Sequence, residues 1–238
     1  AKVRCAQVPI QQIDLHECDL RNASLALNGK NLTGANFKGA NLEGVNLSTF
    51  FDQRQSIVTD LTDVNFEGAN LTGVDLTKAH LRSARFNTST RLLNAKLIEA
   101  NLSGNATFTG INLEGSDFKG ANLENINFKS ANLKNVLFSS FIKLVSAVDI
   151  LQLTNLKGVN FEGANLEGAN FYLTDLTQVR FDKDTLLNNA NFQLTMMEKN
   201  GTLAQIKMEK ADLAVANFSG VNLTGASVII TVLDYAAF

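Results

Sequence analysis

The residues that could carry acid–base, nucleophilic or metal chemistry are few in this sequence. His16 and His80 are the only histidines, and no cysteine or acidic cluster accompanies them at the spacing of metal ligands. Cys5 and Cys18 are too few for a disulfide framework, and the repeat described below directs both inward, where a thiol packs as a small apolar group. Gly29-Lys30 lacks the upstream glycine of a phosphate-binding loop. The sequence therefore predicts no catalytic residue, no cofactor site and no metal site.

The composition limits the class of protein. The 238 residues carry a net charge of −2, which gives no general electrostatic case for binding nucleic acid. No apolar run is long enough to cross a bilayer, and no signal-like segment is found, so we expect no membrane insertion. The chain begins at Ala1 rather than at a methionine. We expect a cytoplasmic protein, or an exported or thylakoid-lumenal one if Ala1 is a processed N-terminus.

A period of five residues organises most of the chain. Every fifth residue is large and apolar, and a small residue stands two places before it. This period is neither the roughly 3.6 residues of an α-helix nor the roughly 2 residues of a β-strand, so the chain must turn at the same phase in every unit. The large inward residues of the clearest stretch are Leu61, Phe66, Leu71, Leu76, Leu81 and Phe86. The register extends back to the pairs Val3/Cys5 and Val8/Ile10, and forward through Met208, Val228 and Leu233 to Phe238.

The register fails at residues 48–60 and 139–155, and the two failures occupy matching places in a longer repeat. Residues 37–50 align with 128–141 at an offset of 91, and residues 64–71 recur as 159–166 at an offset of 95. The difference of 4 residues (95 − 91) falls within the second interruption. We predict a single domain, 1–238, that holds two tandem copies, roughly 27–117 and 118–212, and the start of a third.

A unit that buries only two side chains has no core of its own, so it must stack on copies of itself. Four units would close a square coil of about twenty residues, with successive coils about 4.8 Å apart. The inward Phe and Leu side chains would then form a continuous column inside the stack. Each large side chain buried in this way contributes roughly 1.5–3 kcal/mol.

These units resemble the pentapeptide-repeat family, whose motif is A(N/D)LXX. Direct matches are Ala35-Asn36-Phe37, Ala40-Asn41-Leu42, Ala69-Asn70-Leu71, Ala121-Asn122-Leu123, Ala164-Asn165-Leu166 and Ala211-Asp212-Leu213. The resemblance covers essentially the whole chain and implies an all-β fold, a right-handed quadrilateral β-helix. The chain length gives about eleven coils, with two irregular interruptions.

A fold of this kind does not define a function, but loops set on a rigid column usually carry it. We expect a non-enzymatic scaffold, a structural or protein–protein interaction module with a protein partner. The candidate partner-binding residues lie in the two interruptions and are Phe50, Phe51, Arg54, Phe141, Lys143 and Leu144.

Residues 141–153 place apolar side chains at helical spacing, with polar residues on the other face. Two interpretations stay open for this segment. It is either a short helix or distorted coil that covers the column, or an element that docks a partner. Phe50 and Phe51 carry the same ambiguity.

The alternative function is mimicry of DNA. Some proteins of this family, the quinolone-resistance type, are acidic rods that bind DNA gyrase in place of duplex DNA. The outward charges of this chain argue against it, because Glu114, Lys119, Glu124 and Lys129 alternate in sign. Mixed charges cancel the field that a DNA-binding groove would recognise.

The apolar stretch Val228–Phe238 carries the register to the last residue. An open coil exposes unpaired strand edges, which invite association. We expect either an end-to-end homodimer or a chain that is part of a longer protein.

Overall fold

In a computed structural model the protein is built from short parallel β-bridges. The structure describes residues 5, 10–23, 27–52, 55–104, 106–145, 148–197, 203, 211–213, 217–219, 221–227 and 234–238. The predicted inward residues Val3, Val8, Met208, Val228 and Leu233 lie outside this described part, as does the candidate Arg54.

The bridges form four ladders, and each ladder joins residues that are mostly 20 to 22 positions apart along the chain. Ladder 1 joins Asn31, Asp60, His80, Asn101, Asn122 and Asn155. Ladder 2 has two bridged parts: Asp14, Asn36, Asn65 and Arg85, followed by Thr107, Asn127, Asn160 and Arg180. Ladder 3 joins Asp19, Asn41, Asn70, Arg91, Asn112, Asn132, Asn165 and Leu186, and ladder 4 joins Asn46, Asp75, Lys96, Asp117, Leu137, Asn170, Asn191 and Asp212. We call the stretch of chain between successive members of one ladder a layer.

Six β-strands are long enough to be named within the described part. They are β1 Phe50–Asp52, β2 Gln55–Ile57, β3 Phe141–Val145, β4 Val148–Gln152, β5 Asp175–Leu176 and β6 Met196–Met197. The strands β1 and β2 pair antiparallel, as do β3 and β4, so each pair is a hairpin. The strands β5 and β6 pair in parallel, and bridges run on from Met196 to Asn217 and Ala237. Asp175 follows Asn155 by 20 residues (175 − 155), the spacing of a layer, so we count these residues with ladder 1.

The polar residue in the middle of each unit explains how the chain turns. The Oδ1 atom of Asn65 accepts a hydrogen bond from the backbone N–H of Glu67 at 3.0 Å, and Asn70 does the same for Thr72 at 3.2 Å. An Asn or Asp side chain that bonds to the backbone two residues on stabilises a tight turn. The same contact recurs along the chain, which is why this position is so often Asn or Asp.

The core is the predicted inward column. Leu61, Phe66, Leu71, Leu76 and Leu81 are fully buried, and Phe86 nearly so. Phenylalanine rings stack from layer to layer behind ladders 2 and 4, with centroids 4.6–5.7 Å apart. The first stack contains Phe37, Phe66, Phe86, Phe108, Phe128, Phe161 and Phe181; the second contains Phe118, Phe138, Phe171 and Phe192.

The predicted inward register is wrong at Ile10, which is 61% exposed. The first bridge among the described residues is at Asp14, so Ile10 precedes the ladders that would bury it. Phe238 stacks on Phe218 with centroids 6.0 Å apart, but it is 57% exposed.

Three further expectations from the sequence are wrong. The helical interpretation of 141–153 is wrong, because this segment forms the β3–β4 hairpin. Cys5 and Cys18 are not separate thiols; they form a disulfide with Cα atoms 5.6 Å apart, and Cys18 is buried in the core. The interruptions were expected to be irregular, but their described residues form an antiparallel strand pair in each.

Candidate functional site

Both hairpins project from the same corner of the structure, between ladder 4 and ladder 1. The first lies between Asn46 of ladder 4 and Asp60 of ladder 1, and the second between Leu137 of ladder 4 and Asn155 of ladder 1. Four steps of ladder 4 separate them, a distance of about 19 Å at roughly 4.8 Å per step. We call this corner, together with its two hairpins, the hairpin edge.

A buried threonine closes the base of each hairpin. Thr59 Oγ1 accepts a hydrogen bond from the N–H of Gly29 at 2.8 Å and donates to the carbonyl of Ser48 at 2.9 Å. Thr154 Oγ1 accepts from the N–H of Gly120 at 2.7 Å and donates to the carbonyl of Ser139 at 3.1 Å. The two bases therefore use the same contacts with equivalent residues.

The first ring of each hairpin packs on the glycine of the preceding layer. A Cβ atom placed on Gly29 would lie 2.7 Å from Cε1 of Phe50, and one placed on Gly120 would lie 3.0 Å from Cε1 of Phe141. On the partner strands, Ile57 and Gln152 stand opposite these rings and contact the same glycines. A larger residue at either glycine would therefore have to displace these side chains.

The second hairpin has two distinct faces, because side chains alternate along a strand. One face carries Phe141 and Lys143 and lies against earlier layers of the column, where Lys143 meets Glu99. The other face carries the cross-strand pair Ile142 and Leu151, both of which are exposed. The hairpin thus lies back along the edge toward the first hairpin and presents its apolar pair to solvent.

A charged cluster connects the two hairpins. Lys143 Nζ lies 2.9 Å from Oε2 and 3.1 Å from Oε1 of Glu99, and Lys78 Nζ lies 3.9 Å from the same Oε2. Lys78 Nζ also stands 5.1 Å from the centre of the Phe51 ring, within the range of a cation–π contact. The Glu99 side chain is only 16% exposed, so this carboxylate is largely shielded from water.

Exposed large apolar side chains concentrate at the hairpin edge. Among the described residues, ten of the twelve side chains of this kind lie on the hairpins, on the same corner in later layers, or on ladder 1 beside it. They are Phe50, Phe51, Ile142, Ile150, Leu151, Leu153, Tyr172, Leu194, Met196 and Tyr235. Phe51 and Ile142 are 67% and 66% exposed, whereas the phenylalanines of the two stacks are buried. The remaining two are Ile10 and Phe238.

A shallow cleft of about 290 Å³ opens at the foot of the second hairpin. Leu153 and Leu156 contribute its apolar side, and Lys157, Asp175 and Gln178 line the rest. It continues the apolar surface of the hairpin edge along ladder 1.

The described part of the chain holds no candidate metal site. No cluster of three or more His, Cys, Asp or Glu side chains could hold a metal ion there. His16 Nδ1 lies 2.6 Å from Oδ1 of Asp14 at the surface, and His80 is exposed on ladder 1. Over the same residues, no helix has both the length and the apolar character needed to span a membrane.

Two carboxyl groups have a perturbed pKa for reasons of local structure. The exposed Asp19 has its pKa lowered to about 2, chiefly by the side-chain hydrogen bond from Arg21. Burial raises the pKa of Asp182, but hydrogen bonds from Gly163, Thr185 and Asp184 outweigh burial, and the net pKa is lowered. Both groups are therefore ionised at neutral pH, and neither is poised to exchange a proton there.

The candidate residues predicted from the sequence fall at one place along the surface. Phe50, Phe51, Phe141 and Lys143 all lie on the hairpin edge, and Leu144 lies in β3 opposite Asp149. Lys78, Glu99, Gly120 and Thr154 were not predicted from the sequence. The glycine–threonine pairs could have been found from the 91- and 95-residue offsets, since Gly29 and Thr59 recur as Gly120 and Thr154.

The sequence matches two profiles of one family. The profile described as "Pentapeptide repeat region" matches residues 59–138. The profile described as "Pentapeptide repeats (8 copies)" matches residues 10–49, 151–182 and 202–228. No curated protein sequence matches this chain.

Solved structures of several proteins resemble the chain. HetL, a pentapeptide repeat protein involved in heterocyst differentiation regulation from the cyanobacterium Nostoc sp. strain PCC 7120, is 24% identical over 96% of this chain and 87% of its own, with a TM-score of 0.47. QnrB1, a plasmid-mediated fluoroquinolone resistance protein, is 16% identical over 92% of each chain, with a TM-score of 0.28. A pentapeptide repeat protein of the Arabidopsis thaliana thylakoid lumen is 22% identical over 50% of this chain and 62% of its own, with a TM-score of 0.14. Together, the two profiles cover most of the sequence, and the chain belongs to the pentapeptide-repeat family.

Proposed function

We propose that this protein is a non-enzymatic scaffold that binds a protein partner along the hairpin edge. The concentration of exposed apolar side chains at that edge is the observation that carries the proposal. Contiguous exposed apolar surface is costly in water, and in soluble proteins it often marks an interaction site. The supporting column is proposed to be a right-handed quadrilateral β-helix of about eleven coils, in keeping with the four ladders.

The edge has the properties of a prepared binding surface. Phe51 and Ile142 are large side chains that a partner could enclose, and fully burying an apolar side chain of this size contributes roughly 1.5–3 kcal/mol. The threonine and glycine contacts at each base order the hairpins before binding, which lowers the entropy lost when a partner docks.

The test compares capture of proteins from the native host by the wild type and by Phe51→Ser/Ile142→Ser. The control is Lys134→Ser, because Lys134 is exposed but follows Asn132 of ladder 3, on the corner before ladder 4 and so away from the hairpin edge. We expect the double variant to melt like the wild type and to lose the captured protein. The control should retain it, and titration of the purified partner should show at least about tenfold weaker binding to the double variant. Equal binding by all three proteins would refute the proposal.

Mimicry of DNA is the alternative, and the surface charges favour the scaffold over it. Lys129 and Glu162 lie 3.6 Å apart, and Lys157 and Glu124 lie 3.8 Å apart, in neighbouring layers. Paired charges of opposite sign leave no continuous acidic stripe along the faces that carry them. A supercoiling assay with purified gyrase tests the alternative, and we expect no inhibition.

For the compartment we propose the exported or lumenal alternative rather than the cytoplasm. The Cys5–Cys18 disulfide supports it, because disulfides persist mainly in oxidising compartments. Thiol alkylation of the protein taken directly from the host tests this, and finding both cysteines free would refute it. The end-to-end homodimer stays a prediction, and light scattering by the purified protein tests it.

A further inference from the structure

Glu99 occupies a special position between the two hairpins. It lies on the corner of an intermediate layer, and its carboxylate contacts Lys143 of the second hairpin directly. Through Lys78, which stands over the ring of Phe51, the same carboxylate is connected to the first hairpin. One acidic side chain is thus in contact with lysines that lead to both binding elements.

The hairpins need contacts of this kind to hold their orientation. A two-stranded hairpin is marginally stable by itself in water, so its position depends on what it packs against. The second hairpin has strands of 5 residues, and its base is fixed by Thr154 and Phe141. Lys143 lies two residues farther toward the tip than Phe141, so its pairing with Glu99 restrains the part that the base does not reach.

The Glu99–Lys143 contact has two features that strengthen an ion pair. Both carboxylate oxygens accept from the ammonium group at hydrogen-bond distance, and the glutamate side chain is only 16% exposed. Charge-assisted hydrogen bonds are stronger than neutral ones, and partial burial lowers the effective dielectric constant around the two charges. Removing the charge from Glu99 would leave two lysines close together without the carboxylate that holds them.

We infer that Glu99 is a positioning residue that fixes the two hairpins relative to each other and so presents them as one surface. The benefit of this arrangement rests on the proposed function, whereas the restraint itself does not. A partner that touches both hairpins would meet a surface whose two halves are already ordered, which lowers the entropic cost of binding.

Hydrogen exchange of the full chain tests the restraint without any partner. In Glu99→Gln we expect the amides of Ile142, Lys143 and Leu151 to exchange about 5- to 30-fold faster, with a smaller increase at Phe51. The midpoint of global unfolding should stay unchanged, whereas a merely structural role of Glu99 would shift it. The matched control is Glu114→Gln, because Glu114 also contacts a neighbouring layer, through Asn132 at 3.3 Å, but lies away from the edge.

Two further variants make the test specific. Lys143→Met should accelerate exchange only in the second hairpin, and adding Glu99→Gln to it should cause little further change there. Salt at about 1 M should accelerate exchange in the wild type and have little effect in Glu99→Gln, because it screens the same contact. If Glu99→Gln lowers the global unfolding midpoint, the exchange rates of Lys143→Met and of the wild type in salt still show whether the Glu99–Lys143 contact restrains the second hairpin.

The outcomes separate the restraint from the proposed function. Wild-type exchange rates in both Glu99→Gln and Lys143→Met would overturn the role of Glu99, whatever binds to the edge. Faster exchange in the hairpins would support it even if Phe51→Ser/Ile142→Ser left partner capture unchanged, a result that would refute only the proposed function.

Discussion

The ring of Phe141 lies directly on Gly120, the turn residue of the preceding layer. A Cβ atom on Gly120 would stand 3.0 Å from Cε1 of this ring and 2.7 Å from Cγ of Gln152. The residue has φ 67°, a conformation that glycine adopts without strain. Gly120 therefore has two roles: it adopts the turn conformation without strain, and its lack of a side chain leaves room for the Phe141 ring.

Gly120→Ala should destabilise the second hairpin beyond the cost of the turn alone. Gly73→Ala is the matched control, because Gly73 has φ 65° and a Cβ there would meet nothing within 4 Å. We expect the control to cost about 1–2 kcal/mol of unfolding free energy, from backbone strain. Gly120→Ala should cost about 1–3 kcal/mol more, from crowding. Chemical denaturation measures both, and equal losses would show that the ring does not need the glycine.

Thr154→Val should weaken the base of the second hairpin by leaving two buried backbone groups without their partner. The N–H of Gly120 and the carbonyl of Ser139 both bond to the Thr154 hydroxyl. Each unsatisfied buried group costs about 1–3 kcal/mol. Thr59→Val should behave alike at the first hairpin, while the exposed Thr88→Val should be nearly neutral. Denaturant unfolding checks the free energies, and hydrogen exchange should place each loss at the corresponding hairpin.

Asp182 should make stability depend on pH in the acid range. Its pKa is lowered in the folded state from the ordinary value of 3.8. Ionised Asp182 therefore stabilises the fold above pH 3.8, and this contribution is lost as the pH falls through the lower folded-state pKa. The Oδ1 atom of Asp182 accepts a hydrogen bond from the N–H of Gly163 at 2.8 Å. Asn87 Oδ1 accepts the equivalent bond from the N–H of Gly68 at 2.9 Å, so an amide side chain can replace the carboxylate in this contact.

Asp182→Asn is thus expected to fold and to be modestly less stable than the wild type at pH 7. The difference in unfolding free energy should shrink as the pH falls below 3.8, because the wild type then loses its advantage. Titrating the unfolding free energy of both proteins from neutral to acid pH measures it. A difference that stays constant with pH would contradict the lowered pKa.

Phe138→Ala should be among the most damaging single substitutions. The ring is fully buried and stacks on Phe118 and Phe171 with centroids 5.6 and 5.3 Å away. Removing a buried phenylalanine side chain costs about 3–5 kcal/mol. Phe51→Ala, which alters a ring that is 67% exposed, should cost under about 1 kcal/mol. Thermal and chemical unfolding of both variants check this contrast.

The column could be predicted from the sequence because its period has one cause. Each unit sends the same two positions inward, so Phe66 and Leu71 could be assigned to the core without knowing what covers them. The prediction failed at Ile10, where burial depends on layers that the repeat does not specify.

The hairpins could be located but not described. Residues 141–153 leave the column, so the five-residue pattern no longer applies to them. They carry apolar residues on both faces of the hairpin, for example Ile150 beside Lys143 and Ile142 beside Leu151, and this obscures the alternation of a strand. Helical spacing then fitted the apolar residues by coincidence.

Contacts between residues far apart in the sequence could not be predicted from the five-residue pattern. Glu99 and Lys143 are 44 positions apart. Glu99 occupies a turn position that is glycine in many units and various other residues in the rest, so its residue type gave no signal. Cys18 was placed correctly in the core, but its bond to Cys5, 13 residues earlier, depends on how the first layers fold. The residues that hold the candidate site together were thus harder to predict than the residues that expose it.

The ladders fix the separation of the two hairpins as a whole number of layers. The gap can be altered only by inserting or deleting a whole layer, and each such change would move one hairpin relative to the other by roughly 4.8 Å without rotating it to another corner. A lineage could therefore retune this protein to a longer or shorter partner by duplicating or losing about twenty residues, while every contact at the foot of each hairpin stays as it is.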